Sequence, residues 1–179
     1  MSHTLHSTYT RTAVVMHWLV ALFIFINFPV GLYMDTFPHN SAGFNKVLFY
    51  HASIGSLILM LAVLRWVWRL THTPPALPSS VARWQVASSH GLHWLLYLLI
   101  LAVPLTGYVH RLAGGHPVSF FGLVELPVFL GRNEPLRLLT DTLHRTFVFV
   151  LAFLVAGHFA AVLKHRFLDR DGVAERMWK

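Results

Sequence analysis

Hydrophobic positions along this chain come in long runs almost free of charge. Four of them approach the ~20 residues that a helix needs to cross a bilayer. They are Thr12–Met34, Lys46–Trp68, Val86–Val109 and Leu143–Leu163. Pro29 and Pro104 fall inside runs, where neighbouring helices can satisfy the carbonyls they free. Between the second and third runs lies a Pro/Ser loop, "THTPPALPSS". Between the third and fourth lies "RLAGGHPVSFFGLVELPVFLGRNEPLR", with turn signals at Gly114-Gly115, Pro117, Pro127 and Pro135. Its apolar pieces are too short to span, so an interfacial segment is expected. The predicted fold is all-α, an integral-membrane four-helix bundle over 12–168, with 1–11 and 169–179 as tails.

Composition narrows the class. Of 179 residues, 55% are hydrophobic and 12% charged, against roughly a quarter charged in soluble domains. The absence of cysteine excludes disulfides, thiolate metal sites, iron–sulfur clusters and covalent haem attachment through C-x-x-C-H. A net charge of +7 could point to nucleic acid, but the basic residues sit in short segments between apolar runs, as membrane topology places them. The opening "MSHTLHSTYTRTAVVMHWLV" has the charge order of a signal peptide. It has no small-x-small cleavage site, and its apolar run continues past Phe28, so it reads as a retained first span.

Four crossings put both termini on one side. That side holds Arg11, Arg65, Arg69, Arg83 and the basic residues from Lys164 to Lys179; the other holds Lys46, Arg111, Arg132, Arg137 and Arg145. The surplus predicts cytoplasmic termini.

The candidate chemistry lies in the histidines, of which there are 13. His3, His6, His39, His72, His116 and His165 fall in tails or loops and read as solvated. His17, His51, His144 and His158 lie within spans, where an ionisable side chain costs about 2–3 kcal/mol or more and marks a functional site by default. Fourteen residues separate His144 from His158, which turns the helix by ~1400°, so both share one face about 21 Å apart. His51 matches the depth of His144, and His17 that of His158. Facing imidazoles at two depths are a donor set for two b haems held in a bundle core, about 20 Å apart along the fourth helix: an electron wire.

Other residues join this reading. Arg65 and Arg69 follow His51 on its own face toward the inner end, where they can meet the propionates of the inner haem. Gly31 and Gly55 are placed to leave room for a flat ring or for close helix packing. Interhelical hydrogen bonding is the bland reading of any single buried histidine. Metal-dependent hydrolysis is poorly served: no H-E-x-x-H occurs, and the spans carry no interior carboxylate to act as base.

"MHWLVALFIF", "YHASIGSLILMLAVLRWVWRL", the following "TPP", "HGLHWLLYLLILAVPLTGY" and "LHRTFVFVLAFLVAGHFAA" together resemble the bacterial cytochrome b-561 family, over roughly 12–168. The resemblance implies that His17, His51, His144 and His158 are axial ligands of two b haems, His51 paired with His144 outside and His17 with His158 inside. It further implies a superoxide oxidase: superoxide gives an electron to the outer haem, and ubiquinone is reduced at the inner side. Quinone reduction needs protons, and His90 and His93, in "SSHGLHW", are candidates to supply them or else interfacial residues beside Trp84 and Trp94. The alternative is a cytochrome subunit relaying electrons between quinone and a separate dehydrogenase or a periplasmic redox protein. Cytochrome subunits of hydrogenases and formate dehydrogenases have a similar fold, and fold alone does not choose. A membrane protein with structural histidines and no cofactor is the third reading.

Overall fold

A computed structural model describes residues 8–76 and 81–178. His3 and His6, expected in a solvated tail, lie outside those residues, as do residues 77–80 of the Pro/Ser loop. Among the described residues four long helices form: α1 Arg11–Met34, α2 Ala42–Thr71, α3 Arg83–Ala113 and α4 Glu134–Leu163. All four are long and apolar enough to cross a membrane. Their outward surfaces remain bare, as lipid-facing surfaces must: Phe153 is 79% exposed and Leu98 62%. Charge-free length explains the spans, and capping explains their ends. Thr10 and Ser41 hydroxyls accept from Ala13 N and Phe44 N at the starts of α1 and α2, satisfying donors that a helix terminus leaves unpaired.

The fourth helix begins at Glu134, well before the expected Leu143. Asn133 Oδ1 accepts from Leu136 N at 3.0 Å, and Pro135 stands in the first turn, where its missing N–H has no partner to lose. The turn signal at Pro135 thus opens a helix. The stretch expected to be interfacial contains a small hairpin, β1 Ser119–Phe120 against β2 Val124–Glu125. Its turn places Phe121 at φ 51° and Gly122 at φ 75°, a conformation glycine adopts freely and phenylalanine does not. Ser53 of α2, fully buried, holds the strained turn by donating to Ser119 O and accepting from Phe121 N, both at 3.1 Å.

The termini meet at the opposite face. Trp68 of α2 donates to Thr10, Trp18 of α1 donates to Met177 O at 2.8 Å, and Arg176 reaches Ala76 O. We therefore distinguish a hairpin face from a terminal face. Midway between them, Leu96, Leu99 and Leu151 form a buried cluster joining α3 to α4.

Candidate haem-binding core

Helices α1, α2 and α4 bring the span histidines together at two levels. Toward the hairpin face, His51 and His144 have ring centres 6.2 Å apart at 90°. Toward the terminal face, His17 and His158 are 6.4 Å apart at 76°. With metal–imidazole bonds of ~2 Å, and ~1 Å from nitrogen to ring centre, rings sharing one metal have centres roughly 6 Å apart. Both pairs fit a bis-imidazole iron.

On the hairpin side, the rings are seated on bare backbone. A Cβ at Gly31 of α1 would stand 2.9 Å from His51 Cε1, and one at Gly107 of α3 would stand 3.0 Å from His144 Cε1. Each glycine follows a helix proline, Pro29 or Pro104. Gly31 therefore makes room for an imidazole. Gly55, expected to share this work, meets only Asn27 Nδ2 at an ordinary 3.6 Å; Gly107 takes the place expected for it. His144 Nδ1 lies 2.8 Å from Val103 O. A carbonyl only accepts, so Nδ1 carries the proton and Nε2 keeps its lone pair for a metal, the usual arrangement of a ligating histidine. The carbonyl in the equivalent place beside His51 is that of Asn27, one turn before Gly31. Yet His51 Nδ1 is buried without a partner at hydrogen-bonding geometry.

The terminal level is more crowded and more polar. His93 of α3 stands 5.5 Å from His158 at 72°, so three imidazoles share this level, and Ser89 Oγ lies 3.3 Å from His93 Nδ1. Arg65 lies over the Tyr97 ring at 5.5 Å, and its Nη1 is buried without a hydrogen-bond partner among the described residues. Arg69, His90, His93, Trp94 and Tyr97 line a small pocket of about 40 Å³. Nearby Tyr9 records the local charge: burial pushes its phenol pKa up, while Arg69, Arg176 and Arg65 pull the other way. The orphaned guanidinium nitrogen and the converging arginines suit an anionic group entering from this side.

Loop histidines take local roles. His72 stacks on Trp68 at 3.7 Å, and His165 pairs with Asp171 at 2.6 Å. His116 is held below its ordinary pKa by burial and by the adjacent Arg111 and Arg132. His110, at the hairpin end of α3, was given no role by sequence reasoning; its Nδ1 lies 3.1 Å from Arg137 O. Gly107 also went unnoticed. A glycine two or three residues after a helix proline, as in Pro29–Gly31 and Pro104–Gly107, is the signal that could have revealed it.

Comparison with known proteins gives the family. The family model for prokaryotic cytochrome b561 matches residues 8–179. Cytochrome b561 homolog 2 of Escherichia coli (strain K12) is 33% identical over 170 residues, covering 94% of this chain and 90% of that protein. Cytochrome b561 homolog 1 of the same organism is 26% identical, covering 94% and 96%. A protein named probable superoxide oxidase CybB, from Yersinia pestis, is 28% identical over 174 residues, covering 97% of each chain. This chain belongs to the prokaryotic cytochrome b561 family, multi-pass bacterial membrane proteins that bind haem b and transfer electrons.

Proposed function

We propose that the chain holds two b haems, one between His51 and His144 and one between His17 and His158, and conducts electrons between the two faces of the membrane. The reading rests on one observation above all: two histidine pairs, on facing helices, at separations of 6.2 and 6.4 Å. Bound there, the haems supply reversible one-electron chemistry. The Leu96–Leu99–Leu151 cluster between the levels keeps the path dry.

The similarity to a probable superoxide oxidase supports a finer assignment. Superoxide is oxidised at the hairpin face and ubiquinone is reduced at the terminal face, which lies in the cytoplasm. Two superoxide ions release two electrons and leave two dioxygen molecules; one quinone takes up those electrons and two protons. Lys46 and Arg132, exposed at this face, provide the positive field that draws the superoxide anion; Arg137 and Arg145 add less, being paired with Glu134, Asp35 and Asp141. At the terminal face Arg65 and Arg69 meet the propionates of the nearer haem. His90 and His93 bracket the quinone site and carry its protons; Trp94 and Tyr97 supply its apolar walls.

Rapid mixing of the purified protein with superoxide, with and without a soluble ubiquinone, tests the whole reading. Fast haem reduction by superoxide and reoxidation by quinone are expected. Haem that reduces only when a separate protein donor is added would instead identify an electron-relay subunit, and a colourless, fully folded preparation would end the haem assignment.

A further inference from the structure

Most basic side chains at the hairpin face are either neutralised or out in the open. Arg137 pairs with Glu134 at 2.5 Å, and Arg145 with Asp35 at 3.0 Å and Asp141 at 3.5 Å. Lys46 and Arg132 are exposed. Arg111 differs. It is half-buried, and among the described residues its guanidinium makes no hydrogen bond or ion pair. It borders a cavity of about 280 Å³, whose other walls include Leu48 and Ala52 of α2 and Val118 and Ser119 beside the hairpin.

Helical register ties this cavity to the histidines. Val103, Gly107 and Arg111 follow one another at four-residue intervals and so form one stripe along α3. Val103 and Gly107 both touch the His144 ring. Arg111 continues that surface four residues, ~6 Å, toward the hairpin face. Across the gap, Leu48 lies three residues before His51 and shares its face. The corresponding stripe on α1 runs Asn27, Gly31, Asp35. It ends in a carboxylate already occupied by Arg145. The α1–α4 side is therefore closed by an ion pair, whereas the α2–α3 side keeps an open volume and an uncompensated positive charge.

A half-buried guanidinium is costly to leave unpaired, and its planar fork matches a carboxylate. We propose that this cavity is a carboxylate site at the rim of the hairpin-side haem, and that Arg111 binds a propionate of that haem. The proposal rests on the assignment of that haem to His51 and His144. A fixed positive charge at this position also favours the state carrying the extra electron, so Arg111 raises the potential of that haem as well as anchoring it.

The test uses the whole chain in detergent, with haem content and a redox titration of both haems as readouts. The hairpin-side haem is identified as the one lost in His144→Ala. Arg111→Gln should lower the midpoint potential of that haem and leave the other unmoved. Arg111→Lys should keep the potential but lose this haem faster to a haem scavenger, because charge remains and the fork does not; it also serves should Arg111→Gln fail to assemble. Arg132→Gln, which removes an exposed cation from the same face, should leave both potentials in place. Equal shifts of both haems, no shift, or a shift matched by Arg132→Gln would overturn the proposal. So would unchanged potentials with slower reduction by a small anionic donor, which would make the cavity a site for a soluble anion. If His144→Ala removes neither haem or both, it is the ligand assignment that fails, whatever Arg111→Gln does.

Discussion

The two histidine levels are built by opposite means. At the hairpin side, backbone does the work. His51 and His144 each lie against a glycine of a neighbouring helix, and the Val103 carbonyl orients the second ring. At the terminal side, no glycine intervenes: a Cβ at Gly91 or Gly157 would meet nothing within 4 Å. Side chains crowd in instead, with His93 beside His158 and Arg65 over Tyr97. Backbone contacts leave no slack, so the hairpin level is a rigid seat. Side-chain contacts can rearrange, and the terminal level opens to a pocket lined by His90, His93 and Arg69. Under the proposed function, the rigid level would hold a haem and the open one would also serve the exchanging quinone.

The largest expected effects break one level at a time. His144→Ala should abolish the hairpin-side haem and spare the other, and His158→Ala should do the reverse; each halves the haem-to-protein ratio, read by a reduced-minus-oxidised spectrum. Equal loss in both variants would mean that the pairing is wrong. Next come the glycines. Gly107→Ala puts a methyl group 3.0 Å from His144 Cε1 and Gly31→Ala one 2.9 Å from His51 Cε1, overpacking worth about 1–3 kcal/mol. Both should weaken retention of the hairpin-side haem in a scavenger assay. Gly157→Ala has free space and should be neutral; a loss as large as for Gly107 would refute the contrast between levels.

A third comparison separates holding a haem from using it. His93→Ala should leave both haems bound while slowing reoxidation by quinone at least tenfold. Loss of the terminal-side haem would instead make His93, rather than His17, the partner of His158. The smallest effect concerns the hairpin. Ser53→Ala removes both hydrogen bonds to the strained turn, at about 1–2 kcal/mol. Faster proteolysis within residues 117–126 is expected, with haem content unchanged.

How much of this was legible in advance depends on the range of the interactions involved. Spans α1 and α2 were legible because a charge-free run of membrane length is a property of one segment. The start of α4 was not: Pro135 signals a turn or a first helical residue equally, and the cap at Asn133 decides between them. The grouping of His51 with His144 and His17 with His158 follows from depth, which residue numbers convey, and the family resemblance implies the same pairs. His93 shows the limit of that method. Its depth matched His158, but whether it faced the core or the membrane surface depended on the rotation of α3.

From the chain alone follow a four-span bundle, histidines at two depths with α4 contributing to both, and the arginines that follow His51 on α2. These depend on hydropathy, helical rise and spacing, all local quantities. Only the tertiary structure decided which glycines receive imidazoles, that Ser53 ties down a hairpin 66 residues away, and that Arg111, among the described residues, has no carboxylate partner beside a cavity. Those outcomes depend on how each helix is turned about its own axis against its neighbours. That rotation is set by the packing of all four helices together and is written in no single segment.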